Sequence, residues 1–191
     1  MLLVVGLGNP GAKYAKHRHN VGFMVVERFG QVHAAPPARE RFSGLLSKTR
    51  VGSDDVLLLE PQTYMNLSGR SVQQTLHFFK LGLPELIVVH DELDLPFGAV
   101  RIKVGGGSAG HRGIASIMEC CGGANFCRVR VGIGRPQSGS VEGHVLSDFS
   151  SEQSAALGDV LERATAALTD IVVRGVQAAM NLHNQKGAAG S

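Results

Sequence analysis

Two histidines, His17 and His19, stand one residue apart, and a third, His90, precedes Asp91 in the string His-Asp-Glu-Leu-Asp. Imidazole titrates near neutrality, with a reference pKa of about 6.5, so an unprotonated histidine is available as a base. A carboxylate on the other ring nitrogen fixes the tautomer and stabilises the imidazolium that forms. One of these histidines beside Asp91 could therefore activate water, though nothing in the sequence alone proves that they meet. The amides of Asn9 and Asn66 are candidates for bonding a carbonyl oxygen as it gains negative charge. The plain alternative is that His19 caps a turn and Asp91 caps a helix.

Three further patterns suggest other chemistry. Gly6-Leu7-Gly8-Asn9-Pro10-Gly11 satisfies G-x-G-x-x-G after a strand, but a dinucleotide site needs a helix to open inside the glycines. Pro10 and Gly11 disfavour that, and the next helical pattern starts only near Val21. Gly106-Gly107-Ser108-Ala109-Gly110 matches the nucleophile elbow G-x-S-x-G, yet five glycines from Gly105 to Gly113 meet such a pattern easily. A serine triad in the usual order would have to recruit Asp148 and His183, which have nothing distinctive around them. A mobile loop is the better reading, and its N–H groups could cradle a phosphate. His17-x-His19 with His90 or Asp91 offers zinc-type ligands without three well-spaced ones. No metal and no other cofactor is expected.

The elements that must position these residues follow from apolar periodicity. Leu2–Val5, Val56–Glu60 and Leu86–Val89 are short apolar runs, the pattern of buried strands, and the second is expected to be central. Phe42–Thr49, Val100–Val104 and Val129–Ile133 read as further strands. Leu7–Asn20 is expected as loop and His33–Arg41 as a connection. Helices are predicted from Val21 to about Gly30, from Ser68 to Lys80, over Gly113–Glu119, and from about Leu157 through Val176. Ser150 and Gln153 can form a capping box for the last of these. Alternating strands and helices indicate a single α/β domain over 1–186, a mixed twisted sheet surrounded by helices with a long C-terminal helix, and a loose tail over 187–191. Ligands collect at the carboxyl ends of strands in such a sheet. There the loops carrying His19, Asn66, Asp91 and the glycines would converge.

Composition sets the outer bounds. A chain of 191 residues with 43% apolar and 18% charged side chains has ample material for one core. A net charge of +3 neither demands nor excludes a nucleic-acid partner. Cys120, Cys121 and Cys127 suit neither a disulfide framework nor a C-x-x-C zinc site, so reduced thiols are expected. No apolar run reaches the roughly 20 residues of a membrane span. The amino terminus lacks a basic n-region, so a cytoplasmic location is expected, or an organellar one if a targeting segment precedes it.

Five strings occur in order: Val-Val-Gly-Leu-Gly-Asn-Pro-Gly, Arg-His-Asn-Val-Gly-Phe, Thr-Tyr-Met-Asn-Leu-Ser-Gly, His-Asp-Glu-Leu-Asp-Leu-Pro and Arg-Val-Arg-Val-Gly-Ile-Gly-Arg-Pro. Together they closely resemble the bacterial-type peptidyl-tRNA hydrolases, from Met1 to about Phe149. The resemblance implies a monomeric α/β enzyme that cleaves the ester between peptide and tRNA in peptidyl-tRNA released from ribosomes. It implies His19 as the catalytic base and Asp91 as the acid that orients it. It also implies Asn9, Tyr14, Met65 and Asn66 as substrate-binding residues, and Lys103 and Arg130 as the basic pair that grips a tRNA phosphate. The glycine-rich loop resembles the family's lid. One departure stands out: the family usually has Gly-His-Asn-Gly where this chain has Gly110-His111-Arg112-Gly113. His111 and Arg112 are kept as substrate-binding candidates, although a donor-only guanidinium cannot reproduce an amide. His17 also stands where the family commonly has threonine. The alternative is a catalytically weak or inactive RNA-binding relative of the same fold.

Overall fold

The structure is a computed structural model that describes residues 1–185. The tail expected over 187–191 lies outside the described residues. Seven strands run in chain order as β1 (Leu2–Gly6), β2 (Arg39–Arg41), β3 (Gly44–Val51), β4 (Asp54–Pro61), β5 (Leu86–Glu92), β6 (Val100–Val104) and β7 (Cys127–Gly132). Among the described residues six α-helices interleave with them: α1 (Val21–Val32), α2 (Ser68–Phe79), α3 (Arg112–Cys121), α4 (Val141–Val145), α5 (Ser151–Arg174) and α6 (Val176–His183).

The strands form one mixed sheet in the order β2-β3-β4-β1-β5-β7-β6. The four middle strands are parallel, with Val5 opposite Leu59 on one side and Val88 on the other. The flanking β3 and β6 are antiparallel to their neighbours, and β2 pairs antiparallel with β3 at the edge. Parallel strands need both faces covered, which is why β1, β4 and β5 are apolar along their length. Val4, Ile87, Val89 and Val129 face one layer with Val25, Phe29, Leu168 and Ile171 of α1 and α5. Leu3, Val5, Leu59 and Val88 face the other with Val72, Leu76, Ile114 and Ile117 of α2 and α3. Each such side chain, fully buried, contributes about 1.5–3 kcal/mol of transfer free energy.

The glycines of the false dinucleotide motif serve packing. A Cβ on Gly6 would overlap the Gly22 carbonyl, and one on Gly8 would lie 2.7 Å from the Phe23 ring. The bare backbone lets α1 lie directly on β1, and that helix opens only at Val21, as the periodicity requires. Two short 3-10 turns, Ala12–Tyr14 and Arg18–Asn20, fill the segment read as loop.

Two local expectations are corrected, and one further element appears that the periodicity did not show. The connection before Phe42 contains β2, whose Arg39-Glu40-Arg41 is fully exposed and shows no apolar pattern. The segment after β7 contains α4, a helix too short for periodicity to register. Val176 does not continue the long helix: α5 opens with the Ser150–Gln153 capping box and stops at Gly175, whose φ of 88° turns the chain into α6.

Candidate active site

The carboxyl ends of β1, β4 and β5 open into a cleft of about 530 Å³. Asn9, Tyr14, His19, Met65, Asn66, Asp91, His111 and Arg112 all line it. Leu93, Tyr64, Val141, Val145 and Leu146 supply apolar wall, so α4 forms one side of the cleft. Lys103 and Arg130 lie outside it, on β6 and β7.

His19 and Asp91, 72 residues apart in sequence, are in direct contact. The Nδ1–H of His19 donates to the two carboxylate oxygens at 3.0 and 2.9 Å. Both residues are buried, at 8% and 3% exposure. A carboxylate can only accept, so the shared proton sits on Nδ1 and the lone pair of His19 is left on Nε2. That nitrogen has no protein hydrogen-bond partner among the described residues.

His111 completes the arrangement and fixes its own tautomer. Its Nδ1 accepts from the backbone N–H groups of Gly113 and Ile114 at 3.1 and 3.3 Å, capping α3. The proton must then be on Nε2, which donates to Asp91 Oδ1 at 2.8 Å. Burial alone would raise the Asp91 carboxyl. The imidazoles of His111 and His19 outweigh it and hold the group well below the ordinary carboxylate range. His90 plays a different part. Burial and the neighbouring His111 push its pKa down to about 3, and its neutral ring donates from Nδ1 to the Asp91 carbonyl at 2.8 Å.

Asn9 is oriented by two partners. Its Oδ1 accepts from the Met65 N–H at 2.8 Å, which leaves the Nδ2 donor for the cleft. Its backbone is held by Asn20, which accepts from Asn9 N–H at 3.0 Å and donates to Asn9 C=O at 2.9 Å. Asn66 is exposed on the 3-10 turn Met65–Leu67 beside it. Arg18 anchors the turn carrying His19: its guanidinium donates to Ser147 Oγ at 2.7 Å and Gln153 Oε1 at 3.0 Å. Sequence reasoning missed the supporting roles of Asn20, Arg18 and His90. Asn20 carried the available signal, since it directly follows His19.

The other candidates separate. His17 faces Asp148 at 3.9 Å and does not join His19 in a ligand set. Instead His19, Asp91 and His111 present ligand atoms within 4.8 Å of one another, a spacing a divalent cation could also use once both shared protons are lost. Ser108 sits in an irregular turn of the glycine-rich loop. Asp148 and His183 have partners elsewhere, His17 and Asp170. Arg130 lies 3.5 Å from Glu92, and Lys103 folds against Gly106. Register places Arg101 opposite Arg130 and Lys103 opposite Arg128, so four cations share one face of two strands.

Fold and site together define an α/β protein with a buried imidazole–carboxylate pair at the carboxyl edge of its sheet. Comparison with known proteins then narrows the class. The sequence profile described as peptidyl-tRNA hydrolase matches residues 3–190. A peptidyl-tRNA hydrolase of Sorangium cellulosum is 52% identical over 189 residues, 97% of this chain and 85% of that one. One from Geobacter sulfurreducens is 48% identical over 184 residues, 96% of this chain and 95% of that one. The crystal structure of the Acinetobacter baumannii peptidyl-tRNA hydrolase superposes with a TM-score of 0.90 at 38% identity, covering 96% of this chain and 94% of that one. The chain belongs to the peptidyl-tRNA hydrolase family.

Proposed function

We propose that this protein hydrolyses the ester between peptide and tRNA with His19 Nε2 as the general base. The observation that carries the reading is the His19 Nδ1–Asp91 contact in a lined cleft, with Nε2 left without a hydrogen-bond partner among the described residues. A water between Nε2 and the ester carbon gives its proton to the imidazole and adds its oxygen to the carbonyl. Asp91 stabilises the imidazolium. The Nδ2–H of Asn9, and the Asn66 amide beside it, donate to the oxygen that becomes negative. Collapse of the tetrahedral adduct breaks the bond to the ribose oxygen, which leaves with the proton returned by His19. An ester has a better leaving group than an amide, so neither a serine nucleophile nor a metal is needed for this route.

Lys103 and Arg130 are proposed as the contact for a tRNA phosphate, outside the cleft and beside Arg101; Arg128, on the same face, is buried under the glycine-rich loop and takes no part. Like charges placed opposite one another across two strands are destabilising, which an anionic partner would relieve. No helix among the described residues is long and apolar enough to cross a membrane. The protein is proposed to act as a monomer in the cytoplasm.

The test is single-turnover hydrolysis of purified peptidyl-tRNA, with and without chelator. His19→Ala is expected to slow it roughly 10²- to 10⁴-fold, the usual worth of a positioned base, with chelator having no effect. A folded His19→Ala enzyme of near-normal rate would refute the assignment. An inactive wild-type protein that still binds tRNA would favour the RNA-binding alternative.

A further inference from the structure

Strand β7 carries an arginine that the chemistry above does not use. Arg128 is 3% exposed, and it forms no ion pair among the described residues, whereas a buried arginine ordinarily has a carboxylate partner. Its guanidinium instead donates to three backbone carbonyls: Gly107 at 2.6 Å, Gly106 at 2.7 Å and Ala124 at 3.3 Å. The cation also stacks on Phe126, 4.7 Å from the ring centre. A forked donor is matched to two successive carbonyls in a way a lysine ammonium is not.

The segment it holds has little else to hold it. Gly105, Gly106, Ala109 and Gly110 have φ of 74°, 91°, 47° and 79°. Gly106, Gly107, Ala109 and Gly110 are exposed, and a Cβ on Gly107 or Gly110 would meet nothing within 4 Å. A glycine-rich segment loses the most conformational entropy on ordering, and this one buries no apolar side chain in return. The Gly105 N–H also donates to the carbonyl of Phe126, the residue before β7, at 3.2 Å. The path onward is short. Ser108 C=O accepts from His111 N–H at 2.9 Å, and His111 Nε2 donates to Asp91 at 2.8 Å.

We propose that Arg128 is a positioning residue that fastens the glycine-rich loop to β7 and thereby keeps His111 on Asp91. The loop is thus a tethered wall of the cleft, its tether a buried cation that does not itself line the cleft. The effect on turnover rests on the His19–Asp91 reading above; the effect on the loop does not.

The experiment compares wild type, Arg128→Ala and Arg128→Lys by amide hydrogen exchange and by peptidyl-tRNA hydrolysis. Arg128→Ala is expected to speed exchange across 105–111 while α2 and β1 keep their protection. It is expected to lower kcat/KM about 10- to 100-fold, the usual cost of a slightly misplaced catalytic group. The acid limb of its kcat–pH profile should move to higher pH, because Asp91 has lost a donor and binds the His19 imidazolium more tightly. Millimolar guanidinium, filling the vacated site, should restore a measurable part of both loop protection and rate. Arg128→Lys, with one donor centre, should fall between and is the test if the alanine variant does not fold. Unchanged loop exchange in a folded variant overturns the proposal. Faster loop exchange with unaltered hydrolysis and pH profile refutes the link to Asp91. A wild-type rate insensitive to His19→Ala would count against the parent reading alone.

Discussion

Replacing Asp91 by asparagine keeps the shape of the side chain and removes its charge. Two N–H donors, His19 Nδ1 and His111 Nε2, now converge on its oxygens at 2.8–3.0 Å. An amide offers one oxygen and one NH₂, so one imidazole would have to face a donor. His111 cannot turn over cheaply, because its Nδ1 already accepts from Gly113 and Ile114. His19 is therefore the ring that changes tautomer, and its proton moves to Nε2, where the lone pair is needed. The ion pair that would form as His19 takes up a proton is also gone. Removing one partner from a buried pair costs about 3–5 kcal/mol. Since about 1.4 kcal/mol is tenfold in rate, kcat should fall roughly 10²- to 10⁴-fold. KM should change little, because the groups proposed to bind substrate are untouched. Single-turnover hydrolysis at saturating enzyme reads the chemical step, and circular dichroism confirms the fold. A loss below about threefold in a folded variant would show that the carboxylate does not set the tautomer.

Two other outcomes test different parts of the molecule. Burial, and then the neighbouring Glu27, raise the Glu60 carboxyl to about 8. The folded state therefore keeps a proton that the unfolded chain has released above about pH 4.3, and stability falls as pH rises from there through about 8. Glu60→Gln should raise stability at pH 8 by on the order of 2 kcal/mol, allowing for partial exposure, and leave it unchanged at pH 4; thermal unfolding at the two pH values checks this. Arg130→Ala should raise KM for peptidyl-tRNA and flatten its salt dependence while sparing short ester substrates. Equal damage to both substrates would mean a structural role, in keeping with the Glu92 contact.

Much of the fold was legible because parallel strands buried on both faces must be apolar throughout, as Val56–Leu59 and Leu86–Val89 are. The elements that escaped are those whose cause lies elsewhere in the chain. Strand β2 exists because Arg39–Arg41 finds β3, not because its side chains favour a sheet. The split between α5 and α6 rests on one glycine conformation inside an otherwise continuous apolar stripe. The site behaves alike. The loops carrying His19 and Asp91 were readable as chemistry-bearing, and the resemblance assigned their roles. That His111 is a tautomer-locked donor could not be read, because it depends on the N–H groups of a helix that starts at that residue. An arginine in the middle of a strand, such as Arg128, reads as a surface charge until the loop folded over it is seen.

The sheet ends at β6 on one side, where a row of unpaired peptide groups would ordinarily invite another chain. Asn184, just past α6, answers this with its side chain: Oδ1 accepts from the Ile102 N–H and Nδ2 donates to the Ile102 carbonyl, both at 2.8 Å. One amide thus imitates a neighbouring strand for a single residue and closes the border from within. A truncation that removes Asn184 would unclip it, and the cost is expected to surface as self-association before any loss of turnover. Solubility and activity would then part company, and a poorly behaved preparation could be mistaken for an inactive enzyme.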